Sequence, residues 1–246
     1  MAFGNQKVLR GVDLEVREGE TLVVVGRSGE GKSVLLKLID GILKPDRGEV
    51  YIDEERIDPL PVRPLNLIRR KIAMVFQGAA LFDSMTVEEN VAFPYLEHKA
   101  LPLKEIRKRV RENLRRVHLT DPGILVKKPA ELSGGMKKRV GVARALSVEP
   151  EIILYDEPTT GLDPVTADAI NDLILETQEA TRATSVVVTH DMASAFKVGD
   201  RVAMLHGGKV VFSGSVEETR SSSDPMVNQF VEGKAVGPLT GGADDV

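Results

Sequence analysis

The sequence predicts an α/β domain with a mostly parallel core sheet and a helical insertion. Three observations carry that expectation. An apolar run, Thr21 to Val25, leads directly into a glycine-rich loop and an apolar helix start, Val34 to Ile39. Two β-rich runs, Ile152 to Tyr155 and Ser185 to Thr189, are separated by a helical stretch, Pro164 to Ala180, which makes a β-α-β unit with parallel strands and a right-handed crossover. Between Gly78 and Ile152 the strand pattern is replaced by charged amphipathic helix.

The loop is the most specific of the three. Gly26 to Ser33, GRSGEGKS, satisfies G-x-x-x-x-G-K-[ST] in the strand, loop, helix context that the motif needs. Gly26, Gly29 and Gly31 let the backbone approach a ligand and turn consecutive N–H groups toward one anion. The helix beginning near Lys32 adds unpaired N–H groups and the positive end of its dipole. Lys32 can reach outer phosphates, and the Ser33 hydroxyl can hold Mg²⁺. The expected ligand is a magnesium nucleoside triphosphate; the alternative is an ordinary glycine-rich turn after a strand.

Composition bounds the rest. A chain of 246 residues is long enough for one large α/β domain, or one domain with a smaller lobe. Cysteine is absent, which excludes disulfides and thiolate metal sites and fits a reducing compartment. The N-terminal residues lack a signal-peptide core, and no run approaches the roughly 18 apolar residues of a membrane span. The expectation is a cytoplasmic protein whose membrane role, if any, comes through a partner. A net charge of -4 gives no basic field, so nucleic acid is not expected as a partner.

In chain order, Val8 to Val16 alternates in its second half and reads as a half-exposed strand, followed by the strand into the phosphate loop. Gly41 and the stretch Lys44 to Gly48 make a loop, and Glu49 to Asp53 alternates as a short strand. Pro59, Pro61 and Pro64 mark an exposed connection before Arg69, Arg70 and Lys71, and Ile72 to Phe76 is a buried strand ending at Gln77. Thr86 with Glu88 and Glu89 starts a helix as a cap with first-turn acids. Lys104 to Leu119 is a basic amphipathic helix with Ile106, Val110, Leu114 and Val117 on one face. Its basic residues suit a solvated face of a helical lobe, or a nucleic-acid or membrane surface; Glu105 and Glu112 interrupt them and no aromatics interleave. Arg201 to His206 and Lys209 to Phe212 flank Gly207-Gly208 as a hairpin. Met226 to Val231 is helical, and Gly233 to Val246 is expected to be mobile unless held by a partner.

The strand ends supply candidate chemistry. The run IILYDE delivers Asp156 to the C-terminal edge of a parallel strand, where it can hold Mg²⁺ through water, with Glu157 placed to deprotonate the attacking water. Without the phosphate loop two such acids would as readily cap a helix. His190 follows its strand directly and can bond a γ-phosphate or fix the water, or serve as a cap or core residue. Gln77 can accept from Mg²⁺-bound water or sense the γ-phosphate, or be a plain loop residue. Ser133 is a good N-cap ahead of Gly134 and Gly135, and the helix that follows makes a second anion-binding N-terminus. One nucleotide on the first loop does not need it within one chain.

With these motifs in this order, the chain resembles the nucleotide-binding subunit of an ABC transporter over essentially its whole length. Gly26 to Ser33 matches the Walker A loop, Gln77 the Q-loop, Leu132 to Met136 the LSGGQ signature, Ile152 to Glu157 the Walker B strand, Gly161 to Asp163 the D-loop and His190 the switch histidine. The resemblance implies a P-loop NTPase fold with an antiparallel β subdomain and a helical subdomain. Residues 1–77 and 151–220 would form the core, 78–150 the helical subdomain and 221–246 a tail.

It also implies ATP and Mg²⁺ as ligands. ATP would lie on Gly26, Arg27, Ser28, Gly29, Glu30, Gly31, Lys32, Ser33 and Val34, with Phe3 stacked on adenine and Ser33, Gln77 and Asp156 on the metal. Lys32, Gln77, Glu157 and His190 would be the catalytic set. A head-to-tail dimer would bring Ser133, Gly134, Gly135 and Asp163 of one subunit to ATP held by the other. The cassette would sit at the inner membrane through a permease.

Two features depart from the family pattern: Met136 stands where glutamine is usual, and the chain opens close to Phe3 without the first strand that normally precedes that aromatic. The stretch Leu81 to Pro94, the methionine signature and the segment Gln229 to Gly233 with Gly237-Pro238 further resemble the ATPases of MCE-type (Mla) lipid transport systems. That narrower resemblance implies a permease, an MCE lipid-binding protein and a small STAS-domain subunit as partners, and phospholipid or another envelope lipid as cargo. The alternatives are the ATPase of a small-solute importer, such as one for amino acids, and a soluble ABC ATPase acting on a ribosome, DNA or a cofactor-assembly scaffold. A plain P-loop kinase would not account for Leu132 to Met136.

Overall fold

The computed structural model describes residues 1–98 and 101–240. It divides into two compact units, one formed by Met1–Asp58 with Val186–Val246 and the other by Pro59–Ser185.

The first unit opens with two two-residue strands, β1 (Ala2–Phe3) and β2 (Gln6–Lys7), paired antiparallel. No strand forms over residues 8–16. The reason lies in its backbone donors: Val8 and Leu9 donate to the Met1 carbonyl and Arg10 to that of Gly208, so this stretch is tied to turns and not to a ladder. β3 (Thr21–Val25) is buried throughout and leads through the glycine loop into α1 (Lys32–Ile39). The short pair β4 (Tyr51–Ile52) and β5 (Glu55–Arg56) closes through Asp53 and Glu54, both in left-handed conformations.

The second unit begins with α2 (Val62–Arg69), where an exposed connection was expected. Pro64 is tolerated because it lies in the first turn, where a missing N–H breaks no helical bond, and Leu65 and Ile68 are buried beneath it. β6 (Ile72–Val75) follows. Next come α3 (Val87–His98) and α4 (Leu103–Arg116), then short 3-10 turns at Pro122–Val126 and Pro129–Glu131, and α5 (Gly134–Leu146). Helices α3, α4 and α5 pack on one another. Ile106, Val110, Leu114 and Val117 fill that core, each side chain contributing about 1.5–3 kcal/mol. Asn113 bridges it, donating to Tyr95 Oη and Ser147 Oγ, each at 3.1 Å. The basic residues of α4 face solvent and pair with acids, Arg107 with Glu88 and Arg109 with Glu105.

β7 (Ile152–Asp156) runs parallel to β6, Ile72 opposite Ile152 and Val75 opposite Tyr155. α6 (Pro164–Thr181) leads to β8 (Thr184–Thr189), along which the chain passes back into the first unit. There α7 (Met192–Val198) precedes β9 (Arg201–His206) and β10 (Lys209–Ser215), and strand order runs β10-β9-β3-β8. β3 and β9 are parallel, with Val25 opposite Met204, whereas β10 turns back antiparallel. The turn is glycine-built: Gly207 and Gly208 have φ of 57° and 76°, as a two-residue hairpin loop requires.

α8 (Val216–Arg220) and α9 (Pro225–Glu232) complete the unit. The segment after α9 is held, contrary to the mobile tail expected. Gln229, itself buried, accepts from Leu239 N–H at 2.7 Å and donates to the Lys234 carbonyl at 3.1 Å. Residues 241–246 of that expected tail lie outside the described residues.

Candidate functional site

The phosphate-loop motif lies wholly in the first unit. Pairing of Val25 with Met204 fixes where the loop begins. Gly26 then passes so near β9 that a Cβ there would stand 2.5 Å from the Leu205 carbonyl oxygen. Gly29 and Gly31 have φ of 86° and 99°, conformations that glycine adopts without a Cβ penalty. The residue before α1 is Gly31, which offers no side-chain cap to the helix start.

Lys32 is buried, and its ammonium donates to the carbonyls of Gly26 at 2.6 Å and Arg27 at 3.2 Å. It thus folds over the loop to which it belongs. Two loop side chains brace the flanks. Glu30 accepts from Gly207 N–H at 2.7 Å and lies 3.0 Å from His206 Nδ1, and Arg27 Nη1 donates to the Leu239 carbonyl at 2.8 Å. Ser28 is exposed, and Ser33 and Val34 are half-buried in the first turn of α1. His190 is exposed directly after β8, and Phe3 lies in β1 with 46 % of its surface exposed.

The second unit brings the other candidates together. Gln77 is exposed just past β6, Asp156 is the last residue of β7 and Glu157 follows it. Both acids are buried. Glu157 has φ 48°, a left-handed conformation uncommon for a residue with a Cβ, and its Oε2 accepts from Thr160 Oγ1 at 2.9 Å.

Ser133 caps α5, accepting from Met136 N–H at 3.3 Å, as its position before two glycines predicts. The glycines let α5 start close against the side chains of Leu162 and Thr166. A Cβ at Gly135 would stand 2.6 Å from Thr166 Cγ2, and one at Gly134 3.1 Å from Leu162 Cδ2. Asp163 caps α6 through the N–H groups of Val165 and Thr166 and accepts from Thr166 Oγ1 at 2.6 Å. Those bonds, the Thr166 hydroxyl first, hold its carboxyl below the usual range. Ser133, Gly134, Gly135 and Asp163 therefore form one cluster of two capped helix starts in contact.

Sequence reasoning missed the residues that hold the Gln77 segment. Ala79 and Ala80 both take left-handed conformations, φ 59° and 46°. Their carbonyls accept from Arg144 at 2.8 Å and 2.7 Å, and Gly141 lets Ala79 approach. Lys138, also buried, donates to the Gln77 carbonyl and, at 3.2 Å, to that of Glu157. Burial pushes its pKa down, while the carboxylates of Glu157 and Asp156 push the other way. The three-residue spacing of Lys138, Gly141 and Arg144 on α5 was the available signal.

The donors proposed for a metal, Ser33, Gln77 and Asp156, are oxygen ligands, which suit a hard cation such as Mg²⁺. Among the described residues no group of three or more His, Cys, Asp or Glu could hold a metal unaided. Oxygen donors of this kind suit an ion that arrives already carried by phosphate oxygens.

The model of one family, ABC transporter, matches residues 9–160, which includes the phosphate loop, the Ser133 helix and the β7 acids. The chain belongs to the ABC transporter family. Among its ABC relatives is the intermembrane phospholipid transport system ATP-binding protein MlaF of Escherichia coli (strain K12). The two are 39% identical over 96% of this chain and 87% of that protein. The probable ribonucleotide transport ATP-binding protein mkl of Mycobacterium leprae (strain TN) is 41% identical over 97% of this chain and 68% of that protein. A solved structure, the ATP-binding cassette MJ0796 in a dimeric post-hydrolysis state bound to ADP and Pi, superposes with TM-score 0.78. It shows 40% identity over 85% of this chain and 90% of that one. As an ABC ATPase, the chain binds ATP and hydrolyses it to power transport. Among the described residues no helix is long and apolar enough to cross a membrane.

Proposed function

We propose that the chain is the ATPase of an MCE-type lipid transporter, acting as a head-to-tail homodimer beneath a permease, with an MCE lipid-binding protein and a STAS-domain subunit as further partners. The observation that carries the shared-site part is the Ser133-capped helix start, exposed at Ser133 and Gly134, with Asp163 beside it. It is a second anion-binding N-terminus in a chain that already has one at Lys32. The lipid part is supported by the likeness to MlaF.

In this reading Gly26 to Val34 cradle the phosphates, Lys32 leaves its loop carbonyls for the outer phosphates, and Phe3 stacks on adenine. Ser33, Asp156 and Gln77 hold Mg²⁺, which when bound neutralises charge on the phosphates. Glu157 takes the proton of the attacking water, and His190 fixes that water or the γ-phosphate. Ser133, Gly134, Gly135 and Asp163 of the second subunit close the site. The core comprises 1–77 and 151–220, with 78–150 as the helical arm and 221–246 as a tail.

Lys32→Ala is expected to lower turnover about 10³-fold. Glu157→Gln is expected to bind ATP, hydrolyse slowly and elute as a dimer in size-exclusion with light scattering; monomers at saturating ATP refute the shared site. The name of mkl favours a second reading, a nucleotide-type solute as cargo. Lipid analysis of the purified native complex separates the two, since a bound solute without lipid removes the first.

A further inference from the structure

We propose that Lys138 is a positioning residue for ATP hydrolysis, whose ammonium fixes the main chain of Gln77 and Glu157 together and ties both to the helix that starts at Ser133.

The case begins with where the bonds go. Lys138 Nζ donates to the carbonyl of Gln77 and, at 3.2 Å, to that of Glu157. These residues lie beyond the C-terminal ends of two neighbouring parallel strands, β6 and β7. Neither carbonyl is in a strand of the sheet; that of Glu157, which is in a left-handed conformation, also accepts from Thr160 N–H at 3.3 Å in a local turn, and Lys138 joins it to the Gln77 segment. A lysine buried to 5 % exposure is a costly way to fill space. An apolar side chain has no donor to offer here, whereas a multiple donor holds two carbonyls from different strand ends. The same face of α5 also carries Gly141 against Ala79 and Arg144 on the carbonyls of Ala79 and Ala80. The segment after Gln77 is therefore fastened to α5 at three successive points. A shift of the Ser133 helix is in this way transmitted to the backbone that aims Gln77 and Glu157.

This inference rests on the assignment of Glu157 as the base. The test uses the whole 246-residue chain with Lys138→Met, Lys138→Arg, Glu157→Gln and the Lys138→Met/Glu157→Gln pair. ATP affinity, thermal midpoint and the kcat and KM of hydrolysis are measured for each. Lys138→Met is expected to lower kcat roughly 10- to 100-fold, the usual loss when a supporting partner of a site is removed, with ATP affinity unchanged. Lys138→Arg, which keeps charge and donors, recovers most of it. In the Glu157→Gln background the Met substitution adds no further loss, because the group it positions is gone. Unchanged kcat, a parallel fall in ATP affinity, or an equal additional loss in the Glu157→Gln background overturns the proposal. If the Met variant does not fold, Lys138→Leu, which likewise removes the charge and every donor, is read against the same outcomes. Normal hydrolysis by Glu157→Gln alone refutes the base assignment, whereas normal Lys138→Met beside a crippled Glu157→Gln refutes only the positioning role.

Discussion

Gly26→Ala tests whether the phosphate loop is placed by contact with β9. The new Cβ would stand 2.5 Å from the Leu205 carbonyl oxygen, where real Cβ contacts stay beyond 3.0 Å. Leu205 cannot yield easily, because it is buried and paired with Val210 in the β9-β10 ladder. The loop must retreat by roughly half an ångström, carrying with it the Gly26 carbonyl to which Lys32 donates. Overpacking of this kind costs about 1–3 kcal/mol of stability, which lowers the thermal midpoint by several degrees. Since a displacement of about 1 Å can cost about 10²-fold in rate, turnover is expected to fall at least tenfold. Gly48→Ala is the control: φ there is 97°, nothing lies within 4 Å, and it is outside the phosphate loop. It carries the left-handed penalty of about 1–2 kcal/mol without a clash against β9. ATPase rate and thermal midpoint are measured for both. Normal turnover in Gly26→Ala, or an equal loss of turnover in Gly48→Ala, refutes placement by contact.

Two further outcomes are expected. Ser133→Arg, combined with Glu157→Gln, stops ATP-driven dimerisation while ATP still binds the single chain, and it costs about 1 kcal/mol by removing the α5 cap; light scattering and nucleotide titration check both. Burial tends to raise the pKa of Glu20, but its bonds from Arg201 and from Arg17 N–H outweigh this and hold it below the ordinary 4.5. A depressed folded pKa means that the stability this pair contributes is present above about pH 4.5 and lost as pH falls through the folded value. Glu20→Gln should therefore flatten the acid limb of the thermal midpoint against pH, and an unchanged limb contradicts the pairing.

What was legible in the sequence is what short-range chemistry decides. The run from Thr21 through Lys32 declares strand, loop and helix because its apolar residues, glycines and lysine each have one local use. Ser133 before two glycines declares a cap for the same reason. The strand ends at Gln77 and Asp156 follow from apolar runs that stop abruptly. The failures have a common cause, which is that partners distant in sequence decided the outcome. Val8 to Val16 has a strand's alternation, but the carbonyls of Met1 and Gly208 take its leading N–H groups. Pro59, Pro61 and Pro64 resemble a loop until Leu65 and Ile68 find a core to bury against. Lys138 looks like one more charge in a basic run, and only the fold reveals that it is buried beneath two strand ends.

The Arg27–Leu239 bond has a practical side. A version of the chain shortened before Leu239, as is often done to obtain crystals, would remove both the acceptor that Arg27 uses and the N–H that Gln229 receives. Such trimming, usually regarded as cosmetic, would here take away the anchor of a phosphate-loop side chain, so nucleotide affinities are best compared between proteins of the same length.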